Sequence, residues 1–249
     1  VSFKLLSYNI RFGGAGRESQ LAAAIAEGEP DLVILQEATN PRVVERLADE
    51  TGLKAWGARP GYSLAYLSRV RVARHEWHRP RGSKRHFIEI VPAGAELSIY
   101  GVHLSAVHSN WTERRRVREL RALLAAVESR KESFHICVGD FNTLAPGELL
   151  DARRLPPRLR ALLWLSGGSV RYQTIQIMLG AGYVDGFRQL HPEESGHTFP
   201  TWDPHVRLDY VFLPRPFAGR LNGCEVINQS PAARQASDHF PLLASLTLS

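Results

Sequence analysis

The sequence predicts an α/β protein whose sheets are covered by helices, and three observations carry that expectation. The chain opens as strand, helix, strand; a run of short strand candidates follows without an intervening helix; and a long helix then leads into another buried apolar strand. In order, "FKLLSYNI" (3–10) alternates like a strand, "RESQLAAAIAEG" (17–28) repeats its apolar residues at helical spacing and ends near Gly28, and "DLVILQE" (31–37) is a second strand. "NPRVVERLADETG" (40–52) gives a second helix. The runs "SLAYLS", "RVRVARHEW", "HFIEIV" and "ELSIYGVHL", several joined by turn-like Pro or Gly, are expected as antiparallel neighbours. A helix from about Thr112 to Ser129 precedes the strand "FHICVGD", and the chain closes through "RLDYVFL" and "FPLLASLTL". Residues 144–172, with Pro146, Pro156, Pro157 and an "SGG" at 166–168, are the least regular part and are read as a helical excursion, not a linker.

A chain of 249 residues, 44% hydrophobic and 22% charged, has enough apolar surface for one large core, so a single domain over 1–249 is expected. Two cysteines are too few for a disulfide framework, and Cys137 sits in an apolar run where a buried thiol belongs; a reducing compartment, the cytoplasm, follows. No stretch approaches the roughly 18 consecutive apolar residues of a membrane span, and the first residues alternate like a strand, unlike a signal peptide. A soluble monomer is expected. The net charge of +6 and pI of about 9.6 point to a polyanionic partner: nucleic acid, an anionic lipid surface or a phosphorylated metabolite. Arginine supplies 27 of the 31 basic residues, concentrated at 69–86, 114–121 and 153–160. Each cluster, the second on a helix, is read as a solvated face.

The strands share a further property, because each strong candidate ends in an acid, an amide or an imidazole. Asn9 closes "LLSYN", Glu37 follows "DLVILQ", His103 ends "LSIYGV", Asp140 and Asn142 follow "HICVG", Asp209 interrupts "VRLDYVFL", and Asp238 with His239 precede the last strand. Groups at strand ends of a rigid sheet can converge on one cleft although the chain separates them widely. Glu37, Asp140 and Asp238 offer hard oxygen ligands, with Asn9 and Asn142 as neutral ones, a set suited to Mg²⁺ or Mn²⁺ rather than zinc. His103 and His239 are candidate bases or donors, and an acid such as Asp209 would fix the tautomer of one of them. A hard cation, two imidazoles and an orienting acid suit phosphoryl hydrolysis. Serine-nucleophile chemistry fits less well, since no G-x-S-x-G elbow follows any strand.

Taken in order across nearly the whole chain, "SYNI", "LQE", "GVHL", "GDFN", "RLDYVF" and "SDH" resemble the endonuclease/exonuclease/phosphatase superfamily of metal-dependent phosphoesterases. The resemblance implies a four-layer α/β sandwich: two mixed β-sheets packed face to face with helices on the outside, and a cleft at one end of the sheets. It also implies roles. Glu37 matches the principal Mg²⁺ ligand, with Asn9 beside it and Asp238 as the acid on the metal side. His239 matches the imidazole that acts on the scissile phosphate and Asp209 the carboxylate that orients it; Asp140 and Asn142 match the pair that holds the attacking water and a phosphate oxygen. His103 matches the second histidine of the deoxyribonuclease, sphingomyelinase and deadenylase-like branches. Asp238 and His239 are expected to alternate across one strand, one facing the metal and the other the phosphorus.

The chain departs from the abasic-site endonucleases, which carry a tyrosine and a downstream "PN" where this sequence has "GVHLSAVHSN". A histidine-bearing branch is favoured. Lys84, Arg85, Asn110, Arg114, Trp202 and Arg207 are the candidates for holding substrate, through phosphate contacts or base stacking. The expected function is Mg²⁺-dependent hydrolysis of phosphodiester bonds in nucleic acid. A lipid-headgroup diesterase or phosphomonoesterase is the alternative, and a non-catalytic phosphate-binding module is disfavoured because binding alone has no need for both histidines with the acids.

Overall fold

The structure is a computed structural model; it describes every residue of 1–249 except 82, 84, 107–109, 131, 149, 155–156, 158–159, 162–163, 165–171 and 249, and no side chain at 110, 111, 129 and 152. In chain order, β1 (Ser2–Asn9) leads through α1 (Glu18–Glu27) to β2 (Leu32–Gln36), then α2 (Pro41–Thr51), β3 (Ala55–Gly57) and β4 (Ala65–Ser68). A meander of β5 (Val72–His78), β6 (Phe87–Pro92) and β7 (Ser98–His103) follows, and α3 (Asn110–Val127) connects to β8 (His135–Asp140). The remaining elements are α4 (Gln173–Gly180), β9 (Tyr183–Asp185), α5 (Gly186–Leu190), β10 (Asp209–Pro214), β11 (Leu221–Val226), α6 (Pro231–Ala236) and β12 (Leu242–Thr247).

These strands form two six-stranded sheets, β11-β12-β1-β2-β4-β3 and β5-β6-β7-β8-β10-β9. Each holds one parallel pair at its centre, β1 with β2 and β7 with β8, and every other neighbour is antiparallel. A parallel pair requires a crossover that returns the chain to the starting edge, and α1 and α3 supply the two returns. Both strands of each pair therefore finish at the same edge: Asn9 lies level with Gln36, and His103 level with Asp140. The expected strand ends meet for this reason.

The period of two along each strand divides the core into three sandwiched regions. Leu5, Leu32 and Ile34 face Ile88, Ile99, Ile136, Val138 and Val211 between the sheets. Leu6, Tyr8, Val33 and Leu35 face the other way, onto Leu21, Ile25, Val44 and Leu47 of α1 and α2. On the far side Tyr100, Val102, Cys137 and Phe212 pack on Leu120, Leu123, Ile175 and Met178 of α3 and α4. The expected four-layer sandwich is the observed one. Gly139, of "GDFN", has φ of 143°, and a Cβ there would lie 2.0 Å from the Val102 carbonyl oxygen, so no side chain fits where β8 passes β7.

Several local expectations are corrected. The charged run on α3 is not simply a solvated face: Glu113, Arg116 and Glu119 are buried. Glu113 accepts from Arg116 Nη2 (2.9 Å) and from the Thr174 amide (2.8 Å), while Glu119 accepts from Ser105 N (3.0 Å) and Oγ (2.7 Å). The network ties α3 to α4 and to the turn just after His103. Asp238 and His239 do not alternate along a strand; they occupy the bend between α6 and β12. In 144–172 the described residues include a 3₁₀ turn at Ala152–Arg154 and helical residues at 157, 160, 161 and 164; much of that stretch lies outside the described residues. Cys137 and Cys224 are buried free thiols. No helix among the described residues is long and apolar enough to cross a membrane.

Candidate active site

The first sheet contributes a rim of oxygen donors. Asn9 ends β1, and its Oδ1 accepts from the Arg11 amide (3.0 Å). Glu37 follows β2 with a left-handed backbone, φ of 57°, and its Oε2 accepts from the Phe12 amide at 2.6 Å. Arg11 and Phe12 are left-handed too, with φ of 50° and 49°. Asp238 is carried by the bend before β12, where Ser237 Oγ donates to the Asn9 carbonyl (2.6 Å) and the Thr201 amide to the Asp238 carbonyl (3.0 Å). Arg11 Nε lies 3.3 Å from Asp238 Oδ2.

The second sheet contributes the floor. Asp140 ends β8 and is 1% exposed; its Oδ1 accepts from the Asn142 amide (2.8 Å) and its Oδ2 from Asn9 Nδ2 (3.1 Å), which bonds the two sheets across the mouth. Two imidazoles face the same oxygen, His103 Nε2 at 3.8 Å and His239 Nε2 at 3.9 Å. His239 Nδ1 is 2.8 Å from Oδ2 of Asp209, at the start of β10, and its ring packs on Phe199 with centroids 4.8 Å apart. Asn142, also left-handed at φ of 50°, donates from Nδ2 to the Leu104 carbonyl (3.1 Å).

Burial and neighbouring charge separate the titrations of these groups. Desolvation pushes the Asp140 carboxyl well above the usual carboxylate range, and Asp209 adds to the rise against the pull of His239. Burial works against charge on His239, yet the charge and hydrogen bond of Asp209, with Asp140 and Asp238 behind, hold its pKa up at about 10. His103 moves the other way, lowered to about 3 by burial and by the Arg85 and His239 cations. At neutral pH one histidine is an imidazolium and the other a neutral imidazole.

Ser63, which the sequence does not announce, explains how His103 is set. Its Oγ accepts from the Glu37 amide (3.2 Å) and contacts His103 Nδ1 as a short hydrogen bond. With the oxygen already accepting, the hydroxyl proton points at Nδ1, which leaves the imidazole N–H on Nε2, toward Asp140. A serine carries no charge signature, and its partners lie 26 and 40 residues away in the chain. Ser63→Ala is expected to lower kcat by about 10-fold, the kinetic equivalent of one neutral hydrogen bond. Steady-state kinetics with a thermal melt checks it; wild-type kcat in a folded variant would remove Ser63 from the site.

A cleft of about 320 Å³ receives these groups, lined by Asn9, Glu37, Asp140, Asn142, Asp238 and His239 on its polar side and by Phe199, Pro200, Trp202, Val206 and Leu208 on its apolar side. Trp202 is a wall of the cleft although it is 67% exposed. Arg85 is half-buried and near enough for its charge to act on His103; its buried Nε has no hydrogen-bond partner. Arg114 is exposed on α3 and lines a separate groove. Lys84 and the Asn110 side chain lie outside the described residues.

Arg207 is a correction. Expected to meet substrate, it is fully buried, with Nη1 and Nη2 on the two Asp185 oxygens (2.9 and 2.6 Å) and Nε on Glu148 (2.8 Å). Its guanidinium also sits 4.4 Å from the Tyr210 ring centroid. Its charge is met by two acids inside the protein and its side chain is shut off from solvent, so it presents no face to a phosphate.

The donor set fits a hard divalent cation. Carboxylates of Glu37 and Asp238 and the amide of Asn9 line one cleft, no thiolate enters it, and Asp209 Oδ1 is buried without a hydrogen-bond partner. Ligand atoms of Asp140, Asp209 and His239 also lie within 4.8 Å of one another. His239 and Arg11 offset part of this acid, and a bound cation would neutralise the rest.

Solved structures share this architecture. The 3′ phosphatase NExo from Neisseria, in a structure bound to product DNA hairpin, superposes with a TM-score of 0.71 at 18% identity, over 98% of this chain and 99% of that one. An AP endonuclease from Archaeoglobus fulgidus gives 0.72 at 19% identity, over 97% and 98%. An endonuclease/exonuclease/phosphatase from Beutenbergia cavernae DSM 12333 gives 0.71 at 19%, over 100% and 72%. At such identities the likeness establishes the fold. No curated protein matches the sequence. Residues 6–239, which span every side chain of the cleft, match the Endonuclease/Exonuclease/phosphatase family, and the chain belongs to that family of phosphoesterase hydrolases.

Proposed function

We propose that the protein is a divalent-metal-dependent phosphodiesterase that hydrolyses the backbone of nucleic acid, with Mg²⁺ as its ion and Mn²⁺ as a working substitute. The observation that carries the reading is the buried His239–Asp209 pair, bonded at 2.8 Å and turned toward Asp140 in a cleft rimmed by oxygen donors. Glu37, Asn9 and Asp238 would hold the ion, which when bound polarises a phosphate oxygen and offsets developing charge. His239 gives its Nδ1 proton to the bond with Asp209 and keeps Nε2–H for a phosphate oxygen as negative charge builds there. Asp140, its carboxyl kept easily protonated by burial, takes the proton of the attacking water as the P–O bond to the leaving oxygen breaks, and the released alkoxide takes a proton from solvent. The Asn142 amide fixes Oδ1 of that carboxylate, and Oδ2, which also accepts from Asn9 Nδ2, is the oxygen that both histidines face. His103, whose Nε2 faces the same Asp140 oxygen, adds a neutral N–H.

The choice of nucleic acid rests on the net charge of +6 and on the aromatic wall of Phe199 and Trp202, which suits a sugar or base beside the scissile phosphate. The two buried free thiols suit a reducing compartment such as the cytoplasm. The test is a panel of oligonucleotides, a choline-headgroup diester and a phosphomonoester, each with Mg²⁺, Mn²⁺ or EDTA. Metal-dependent cleavage of oligonucleotides is expected; turnover of the headgroup diester or the monoester alone would overturn the substrate. Glu37→Gln is expected to raise the Mg²⁺ concentration for half-maximal activity by roughly 10-fold or more while the melting temperature holds, because one carboxylate of a preformed rim is lost. Wild-type activity at limiting Mg²⁺ would remove Glu37 from the metal site.

A further inference from the structure

Helix α3 sorts its arginines in a way that the chemistry of the cleft does not require. Because β7 and β8 are parallel, α3 runs from the cleft end of the second sheet back along its outer face. The chain enters the helix from His103 through Ala106, which lines the cleft, so the N-terminal turn is the end nearest the reaction. Both acids of α3 are turned inward: Glu113 and Glu119 are buried, the first paired with Arg116 and the second with Arg115. Arg114, Arg118 and Arg121 are left exposed and, among the described residues, without an acidic partner.

Those three arginines follow one another at intervals of four and three, on one helix face, over about 10 Å at 1.5 Å per residue. With Val117 and Gln173 they line a groove of about 560 Å³ between α3 and the first turn of α4. Three guanidinium groups side by side repel one another, and an anion repeated at short intervals relieves that repulsion while using their paired N–H donors. We infer that this groove is an exosite for the nucleic-acid backbone, gripping phosphates of the strand that leaves the cleft past the start of α3. The inference rests on the reading of the substrate as nucleic acid.

The test compares the wild-type enzyme with an Arg118→Gln, Arg121→Gln double variant on three measurements. These are turnover of bis(p-nitrophenyl) phosphate, KM for an oligonucleotide long enough to reach the groove, and the salt dependence of oligonucleotide binding. Each lost phosphate contact removes about 0.9 from the log–log salt slope on duplex and about 0.7 on a single strand. The slope is therefore expected to fall by about 1.4 to 1.8 and the oligonucleotide KM to rise, with turnover of the small diester unchanged. Wild-type slope and KM in the double variant would overturn the exosite and leave the substrate reading standing. Equal loss on the small diester would also overturn it, since the effect would then lie in the cleft. A wild-type enzyme that hydrolyses other esters but binds no oligonucleotide at low salt would overturn the substrate reading and the exosite with it.

Discussion

Replacing His239 with alanine is expected to lower kcat by about 10² to 10⁴ while substrate affinity changes little, the usual loss for one positioned acid–base group. The side chain is 5% exposed and bonded on one nitrogen to Asp209, so its second nitrogen is committed to the cleft. Asp209→Asn keeps the size of the carboxylate but can favour the wrong tautomer and no longer offsets an imidazolium, so comparable damage is expected. The two residues form one unit, and the double variant should be scarcely worse than either single one. Single-turnover kinetics on the four proteins settles it: losses that multiply would separate Asp209 from His239, and an active His239→Ala enzyme would shift the role to His103. The pair also links stability to pH. Its folded pKa of about 10 exceeds the ordinary 6.5, so its contribution is complete below about pH 6.5 and is lost as pH rises through 10; His239→Ala should flatten that alkaline decline.

Arg207→Leu has the second large effect expected, and on stability instead of turnover. The substitution leaves Asp185, itself buried, and Glu148 without the guanidinium that holds both. Removing one partner of a buried ion pair costs about 3–5 kcal/mol, a large part of the roughly 5–15 kcal/mol that holds a domain folded. For a chain of this size the melting temperature should fall by about 6–20 °C. Thermal unfolding followed by tryptophan fluorescence measures it. A variant as stable as wild type but with a raised KM would restore Arg207 to the substrate.

The contrast between these two residues shows what the sequence makes legible. The candidate catalytic groups were visible because buried strands such as β2 and β8 deliver them at their ends, and an acid closing an apolar run, 32–35 before Glu37 or 136–138 before Asp140, stands out. Arg207 carried the same outward sign, two residues before Asp209, yet its partners lie 22 and 59 residues away in sequence, where no local pattern connects them. Glu113, Arg116 and Glu119 were hidden differently: a dense charged run reads as a wet face, and only packing against the Ser105 turn and α4 shows that half of it points inward. The short strands β3 and β9, three residues each, and the half-exposed β11 are set by their neighbours in the sheet, since pieces of that length have no period of their own.

The left-handed backbones at Glu37 and Asn142 set selection for endurance against selection for work. A non-glycine residue in that conformation gives up on the order of 1–3 kcal/mol, somewhat less for asparagine, and here the loss falls on two side chains that face the cleft. Glycine at either position would relax the chain and take a polar side chain out of the cleft in the same step. Variants of this chain selected for heat resistance alone are therefore expected to drift toward a sturdier protein with an emptied cleft, because nothing in stability favours a glutamate or an asparagine in so uncomfortable a posture.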